Sequence, residues 1–458
     1  MFDTTTYINR RQELAKEVRT GLIVLFGNDI SPMNYADNGY PFRQDSTFLY
    51  FTGIDRPEVA LVLDTDSGES TLFGDDYSLQ DTVWMGPQTS LEELASKSGL
   101  SKVCELKDLS SRLKSSKNVH FLIPYRDKQK IQLHEFLGLE LPEISLRAST
   151  ALTVAVIKQR SIKEKQEIEE IVKGVNISGQ MHLTMMQMTR ANIFEHEINA
   201  AVTSVALKNG TMPAYPNIIT VNGQILHNHV YNNLMKTGQL LLGDFGAESS
   251  MHYAGDITRT IAVSGHFTSK QKEIYQLVLE ANLKCIDACK PGVTYKSIHL
   301  LAAKIITKGL KELGIMKGDV DEAVEAGAHA LFFPHGLGHM LGLDVHDMEN
   351  LGEDLVGYDS EVTRSSQFGL KSLRLGKKLQ SGYVLTVEPG IYFIPQLILE
   401  WSAEKRLDDF INYESLKDYY SFGGVRIEDN ILITEKGVQV LGDPIPKTIA
   451  ELKSAFNH

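Results

Sequence analysis

At 458 residues, 42% hydrophobic and 23% charged, the chain has the composition of an ordinary globular protein and exceeds the length at which one core keeps growing, so two domains are expected. A formal net charge of −12 leaves no basic surplus to displace counterions, which argues against a nucleic-acid partner. Three cysteines, Cys104, Cys285 and Cys289, are too few and too odd in number for a disulfide framework, and no apolar run reaches the roughly 18 residues of a membrane span; a cytoplasmic protein with no membrane partner is expected.

Residues 7–19 read as a helix and 21–26 as a buried strand. Residues 47–53, 59–64 and 70–73 read as successive strands of one sheet, 91–98 and 108–115 as helices, and 120–123 as a further strand. This alternation predicts an α/β domain over residues 1–155. The charged, periodic stretch SIKEKQEIEEIVK at 161–173 then predicts the first helix of a second domain, 156–458, capped by Ser161 beside Glu164. Further helices are expected at 176–189, 193–209, 268–289 and 295–313, with Pro291-Gly292 breaking the chain between the last two. Strands are expected at 217–221, 239–245, 256–264, 383–388 and 424–434, which makes this domain α+β, with antiparallel hairpins flanked by long helices. Cys285 and Cys289 share a helix face; a zinc site would need two more ligands nearby, and buried small hydrophobes are the simpler reading.

Candidate chemistry lies in four stretches of the second domain. In GQLLLGDFGAESSMHYAGDITRTIAV a strand ends in Asp244 and the chain returns to Asp256, so a hairpin brings two carboxylates together. Such a pair repels unless a proton or metal lies between; the plainer alternative is an acidic turn in solvent. FFPHGLGHMLGLDVHD carries His335, His339 and His346, and a lone His on an apolar face is more often a core residue than a ligand. LTVEPGIYF ends an apolar strand in Glu388. In GGVRIEDNILIT, strand alternation puts Arg426 and Glu428 on one face and Val425 and Ile427 on the other, so Arg426 is expected to orient Glu428 from outside the ligand set, unless the two form an ordinary surface ion pair. Asp244, Asp256, His339, Glu388 and Glu428 together give four carboxylates and one imidazole. Oxygen-rich donors suit hard or borderline divalent ions and exceed the need of one, which implies two metals: manganese first, with cobalt, iron or zinc as alternatives.

These stretches, with ILHNH around His227 and AGDITRT around Asp256, resemble in order and spacing the motifs of the pita-bread metallopeptidases, most closely the prolidase and aminopeptidase P group. PFRQDSTFLYFTG and TVWMG extend the resemblance into the N-terminal domain. It implies a C-terminal pita-bread catalytic domain of the creatinase and methionine-aminopeptidase type behind a creatinase-like α/β domain. It further implies that Asp244 holds one metal, His339 and Glu388 the other, and that Asp256 and Glu428 bridge them. His227 and His346 would hydrogen-bond the substrate and the tetrahedral intermediate, His335 would shape its loop, and Glu388 would shuttle a proton to the leaving imino nitrogen as a metal-activated water attacks. The Asp244 to Asp256 segment is one residue longer than the family's usual hairpin, so a bulge or longer turn is expected. The resemblance also implies an N-terminal domain that narrows access and contributes to a homodimer or higher homo-oligomer, with Trp84 either a rim residue or a packed core tryptophan.

Within the group, a dipeptidase must hold a free carboxylate beside the scissile bond, and the guanidinium fork of Arg374 suits that task. Lys371, Arg374, Lys377 and Lys378 as a solvated basic loop is the alternative. The insert at 393–422 and GIMKGDVDEAVEAGAHALFFPHG resemble prolidases, whereas YFTG and AGDITRT are also similar to aminopeptidase P. The expectation is therefore an Xaa-Pro dipeptidase acting on short proline-containing peptides, with an Xaa-Pro aminopeptidase as the alternative. A non-catalytic module of the same fold, or a metal-independent hydrolase of the creatinase type, is disfavoured by the complete ligand set.

Overall fold

LIVLF, apolar at every position, forms β1 (Leu22–Phe26) of a mixed five-stranded sheet in the order β4-β3-β2-β1-β5. The computed structural model describes residues 1–456, in two compact units, Met1–Arg160 and the remainder from Ser161. In the first unit α1 (Thr4–Val18) precedes β1, and α2 (Ser46–Thr52) precedes the antiparallel β2 (Ala60–Asp64) and β3 (Ser70–Phe73). Then come α3 (Leu79–Met85), α4 (Leu91–Lys97), β4 (Lys102–Cys104), α5 (Leu109–Lys114), β5 (Val119–His120), α6 (Asp127–Leu137), α7 (Leu141–Arg147) and α8 (Thr150–Ser161). The unit boundary thus falls at the end of α8, where the chain leaves a helix, and not inside it at residue 155.

Three expectations for this unit are corrected. Residues 47–53 are a helix: Asp45 caps it by accepting the Phe48 N–H at 2.8 Å, and Gly53 ends it at φ 67°. All seven residues of α2 are buried, so no polar face reveals the helical period. The strand expected at 120–123 is only Val119–His120, because the Phe121 carbonyl accepts from Ser149 at the start of α8. Trp84 is 80% exposed on α3, which excludes the packed-core reading.

In the second unit the helices expected at 161–173 and 176–189 are one, α9 (Lys165–Met188), and its cap is Glu164, in a capping box with Glu167, because Ser161 still belongs to α8. Helix α9 continues through Gly174, where a Cβ would lie 2.8 Å from the Tyr253 carbonyl. Close approach to its neighbour outweighs helix propensity here. Next follow α10 (Glu195–Lys208), the antiparallel sheet β6 (Ile218–Thr220), β7 (Leu240–Phe245), β8 (Ile257–Ala262), then α11 (Ser269–Ala288) and α12 (Tyr295–Glu312). Cys285 and Cys289 are buried on α11 and its cap. Late in the chain, β9 (Val384–Val387) pairs with β12 (Asp429–Thr434), which also pairs with β13 (Gly437–Val440), while β10 (Gly390–Tyr392) pairs with β11 (Gly424–Arg426). The single strand expected at 424–434 is therefore two, in different sheets. The chain changes sheets at Ile427 and Glu428, whose N–H groups donate to Pro389 and Thr258 carbonyls.

The β7–β8 hairpin keeps one register from Leu240↔Ala262 through Phe245↔Ile257 to an isolated bridge Glu248↔Ala254. Its extra residue is absorbed at the tip, where Ser249 N–H bonds the Tyr253 carbonyl and His252 adopts φ 67°, so no bulge displaces the strands. Helix α9 lies against this hairpin: Ser178 Oγ accepts from Ala247 N–H at 2.9 Å, and His182 Nε2 donates to the Ile257 carbonyl at 2.9 Å. Ile171, Val175, Met181, Met185 and Met186 of α9 are fully buried, each worth about 1.5–3 kcal/mol of hydrophobic transfer. Among the described residues no helix is long and apolar enough to cross a membrane.

Candidate metal centre

Asp244 stands opposite Thr258 in the hairpin, and the same register puts Asp256 on the same face, diagonal to it. Asn430 of β12 clamps Asp256 from behind, accepting its N–H at 2.9 Å and donating to its carbonyl at 2.6 Å. Glu428, at the sheet change, accepts from Thr258 Oγ1 at 2.6 Å through Oε2, while its Oε1 is buried with no hydrogen-bond partner. His339 is pinned to β9 by its N–H to Thr386 Oγ1 at 3.1 Å. Its Nδ1 donates to the Met340 carbonyl at 3.0 Å, which turns Nε2 towards Asp256 Oδ2 at 3.4 Å and Glu388 Oε1 at 3.7 Å. Asp256, His339 and Glu428 each offer a ligand atom within 4.8 Å of the other two. Asp244 and Glu388 flank this trio. Asp244 shares the Tyr215 hydroxyl with Asp256, and the half-buried Glu388 adjoins the trio through His339.

The electrostatics are those of a site short of positive charge. Burial pushes the Glu388 carboxyl up to about 7 against the pull of His339 and Arg426. Burial likewise lifts Glu428 well above the ordinary range, and Asp256, Glu388 and Asp244 add to the effect. Burial alone would raise Asp256 too, but the hydrogen bond and charge of His339 hold it below its usual value. His339 is the reciprocal case: burial would lower it, and Asp256 and Glu388 raise it to about 9. Without a cation Glu428, Glu388 and His339 are pushed towards their protonated forms, while Asp256 stays ionised against His339. A donor set of carboxylate oxygens and one imidazole, with an orphaned oxygen on Glu428, fits divalent metal.

Arg426 is buried and engages Asp244 Oδ2 through Nη2, Tyr392 Oη at 2.8 Å through Nη1 and Thr258 Oγ1 at 3.2 Å through Nε. Its direct carboxylate partner is thus Asp244, and it reaches Glu428 only through Thr258; the expected single strand face is absent because the sheet changes between them. His335 receives the Tyr392 hydroxyl proton at Nε2, 2.8 Å away, and donates from Nδ1 to the Gly336 carbonyl, so it is a neutral loop-shaping residue whose pKa burial and Arg426 depress to about 3. The His346 ring lies 4.2 Å from that of His339, with Nδ1 3.2 Å from Glu349 Oε2. His227 sits exposed between β6 and β7, its pKa lowered by partial burial and by Arg426. Arg374 donates through Nη1 to Glu349 at 2.5 Å and Glu353 at 3.0 Å. It is therefore not a free cation in a solvated basic loop.

Besides Asn430, three site residues escape the sequence reasoning. Thr258 had a signal, since it follows Asp256 by two on the same strand face. So did Tyr392, two beyond Gly390, which β10 pairs with Arg426. Tyr215 had none: it belongs to no strand and arrives because residues 211–214 run along the hairpin, with Ala214 N–H on the Gly246 carbonyl at 2.8 Å and a bridge from Pro213 to Ala247. Its hydroxyl reaches both Asp244 Oδ1, at 2.7 Å, and Asp256 Oδ1, and burial together with the two aspartates keeps the phenol protonated.

Comparison with known proteins gives the same picture. Residues 7–121 match the N-terminal domain of aminopeptidase P. A human protein named Xaa-Pro dipeptidase is 32% identical over 465 residues, covering 97% of this chain and 92% of its own. A Phaeosphaeria nodorum protein named "Probable Xaa-Pro aminopeptidase" is 35% identical over 426 residues, covering 91% of this chain and 88% of its own. Zinc-substituted Escherichia coli aminopeptidase P in complex with product has a TM-score of 0.82 at 30% identity, covering 99% of this chain and 98% of that one. The C-terminal unit thus has the pita-bread architecture. A match to the peptidase family that runs over residues 169–435 takes in every residue of the cluster, and on that ground the chain belongs to metallopeptidase family M24, with an aminopeptidase P N-terminal domain ahead of it.

Proposed function

We propose that this metal-dependent Xaa-Pro peptidase acts as a dipeptidase, cleaving the bond before proline in two-residue peptides. The observation that carries the reading is Arg374: it shares one oxygen of Glu349 with His346, and its Nη2 and Nε make no hydrogen bond among the described residues. That open guanidinium edge, one residue removed from a histidine of the site, can take a terminal carboxylate bidentately.

Asp244, Asp256, His339, Glu388 and Glu428 would hold two divalent ions, manganese first and cobalt, iron or zinc as alternatives. Bound there, the metal supplies a water ionised near neutral pH and polarises the scissile carbonyl. Tyr215 and Arg426 hold Asp244 from two sides and fix which carboxylate oxygens face the centre. His346, its Nδ1 committed to Glu349, presents Nε2 to the peptide, and His227 covers the exposed side. Glu388 ends β9 against Pro389, where its carboxylate takes a proton and returns it to the leaving proline nitrogen. A homodimeric or higher homo-oligomeric assembly, an N-terminal domain that narrows access and a cytoplasmic location belong to the same reading.

The alternative, an Xaa-Pro aminopeptidase acting on longer peptides, is favoured by one observation, the two carboxylates already on Arg374. The test is hydrolysis of Ala-Pro and Gly-Pro against Arg-Pro-Pro, with chelator-treated enzyme reloaded with each metal in turn. Faster dipeptide cleavage with manganese is expected. Trimming of the tripeptide with the dipeptides untouched would refute the dipeptidase assignment, and full activity in chelator would refute metal dependence.

A further inference from the structure

We infer that Glu349 and Glu353 set the peptide-length preference of the site by competing with a substrate's terminal carboxylate for Arg374. The inference rests on the reading of Arg374 as the carboxylate-binding cation. Both glutamates bind one nitrogen, Nη1, at 2.5 and 3.0 Å. Glu353 also accepts from Arg364 Nη2 at 2.6 Å, and Arg364 Nε binds Asp354 at 2.6 Å, so two guanidiniums face three carboxylates and the cluster carries a net negative charge. Backbone contacts fix the arrangement: Gly376 and Lys377 N–H groups both donate to the Gly357 carbonyl, and a Cβ on Gly357 would fall 1.8 Å from the Arg374 carbonyl. The strand of chain bearing Arg374 is therefore held against the short helix that begins at Glu353.

An incoming carboxylate can bind the Nη2 and Nε edge only beside this negative surplus. A peptide amide, with no terminal charge, meets no such repulsion. Glu353, which makes no hydrogen bond to His346 among the described residues, tunes the affinity for free acids by its charge on Arg374, whereas Glu349 in addition holds His346 through the same Oε2 that binds Arg374. Glu353 is thus a positioning and specificity residue acting through Arg374.

The experiment measures KM for Ala-Pro and for Ala-Pro amide with the manganese-loaded full-length enzyme. Glu353→Gln is expected to lower KM for Ala-Pro by roughly two- to fivefold and to leave that for the amide unchanged. Glu353→Asp, which keeps the charge, should retain the wild-type ratio, and in an Arg374→Ala background, where nothing seats the substrate carboxylate beside Glu353, the gain from Glu353→Gln should be lost. A Glu353→Gln enzyme whose two KM values are unchanged, or fall together, overturns the competition while leaving Arg374 in its role. An Arg374→Ala enzyme with an unaltered KM for Ala-Pro overturns the assignment of Arg374 itself, and the competition with it.

Discussion

His299→Phe should make the C-terminal unit less sensitive to acid. His299 on α12 and His329 are fully buried, and none of their four ring nitrogens has a hydrogen-bond partner. His299 stacks on Phe333 with ring centroids 5.1 Å apart, an arrangement a phenyl ring preserves. Burial, with His329 and His335 adding, depresses the His299 pKa from 6.5 to about 3, and burial depresses His329 to about 4. Both are therefore neutral in the fold. The unfolded chain takes up their protons as pH falls below 6.5, so stability is intact above that value and is lost progressively towards the folded pKa values. At about pH 5 the loss amounts to about 2 kcal/mol for each histidine. Urea unfolding followed by tryptophan fluorescence suits the measurement, since Trp401 is buried in the C-terminal unit and Trp84 is already exposed. Between about pH 7.5 and 5 the variant should lose about 2 kcal/mol less than the wild type. His182, depressed to about 3 by burial and then Arg259, titrates in both proteins and cancels in the comparison. Equal losses in the two proteins would mean that His299 is already protonated in the fold, and the reasoning would fail.

Tyr215→Phe removes a hydroxyl bound to two proposed ligands. A lost hydrogen bond to a charged group is worth about 1.5–3 kcal/mol, so manganese affinity or kcat/KM should fall by roughly 10- to 100-fold with the fold retained; calorimetric metal titration beside kinetics checks this, and unaltered values would remove Tyr215 from the centre. Arg259→Met targets the buried guanidinium that bonds Asp429 at 2.7 Å and the Glu428 carbonyl at 2.6 Å. It leaves Asp429 buried with Lys447 as its remaining ion-pair partner, at a cost of about 3–5 kcal/mol, so scanning calorimetry should show Tm lower by roughly 10 °C. A shift below about 3 °C would contradict the assignment of Arg259 as a keystone of the Glu428 segment.

Sequence periodicity reports burial on one face, and the elements misread are those where that signal vanishes. Helix α2 is buried all round, Gly174 hides the continuity of α9, and alternation persists across Ile427 and Glu428 although the chain has changed sheets. The last is decided by hydrogen bonds to Pro389 and Thr258, partners that local pattern cannot reveal. Candidate ligands were easier to read, because a carboxylate ending an apolar strand or a histidine among glycines stands out from its neighbours. Their supports were not: Asn430 and Tyr215 have ordinary polar side chains, and only the docking of distant segments gives them their roles.

The contact of α9 with the hairpin bears on which variants of this enzyme survive. Gly174 and Gly246 both pack against the Gly255 backbone beside Ser178 Oγ, and a methyl group on Gly246 would stand 1.9 Å from the Gly255 carbonyl. Gly255 adjoins Asp256, and Gly246 lies two residues past Asp244. Mutational intolerance therefore extends to positions that carry no functional group, and a catalogue of inactivating changes drawn up from the ligands alone would omit the three glycines whose lack of a side chain lets the two aspartates meet.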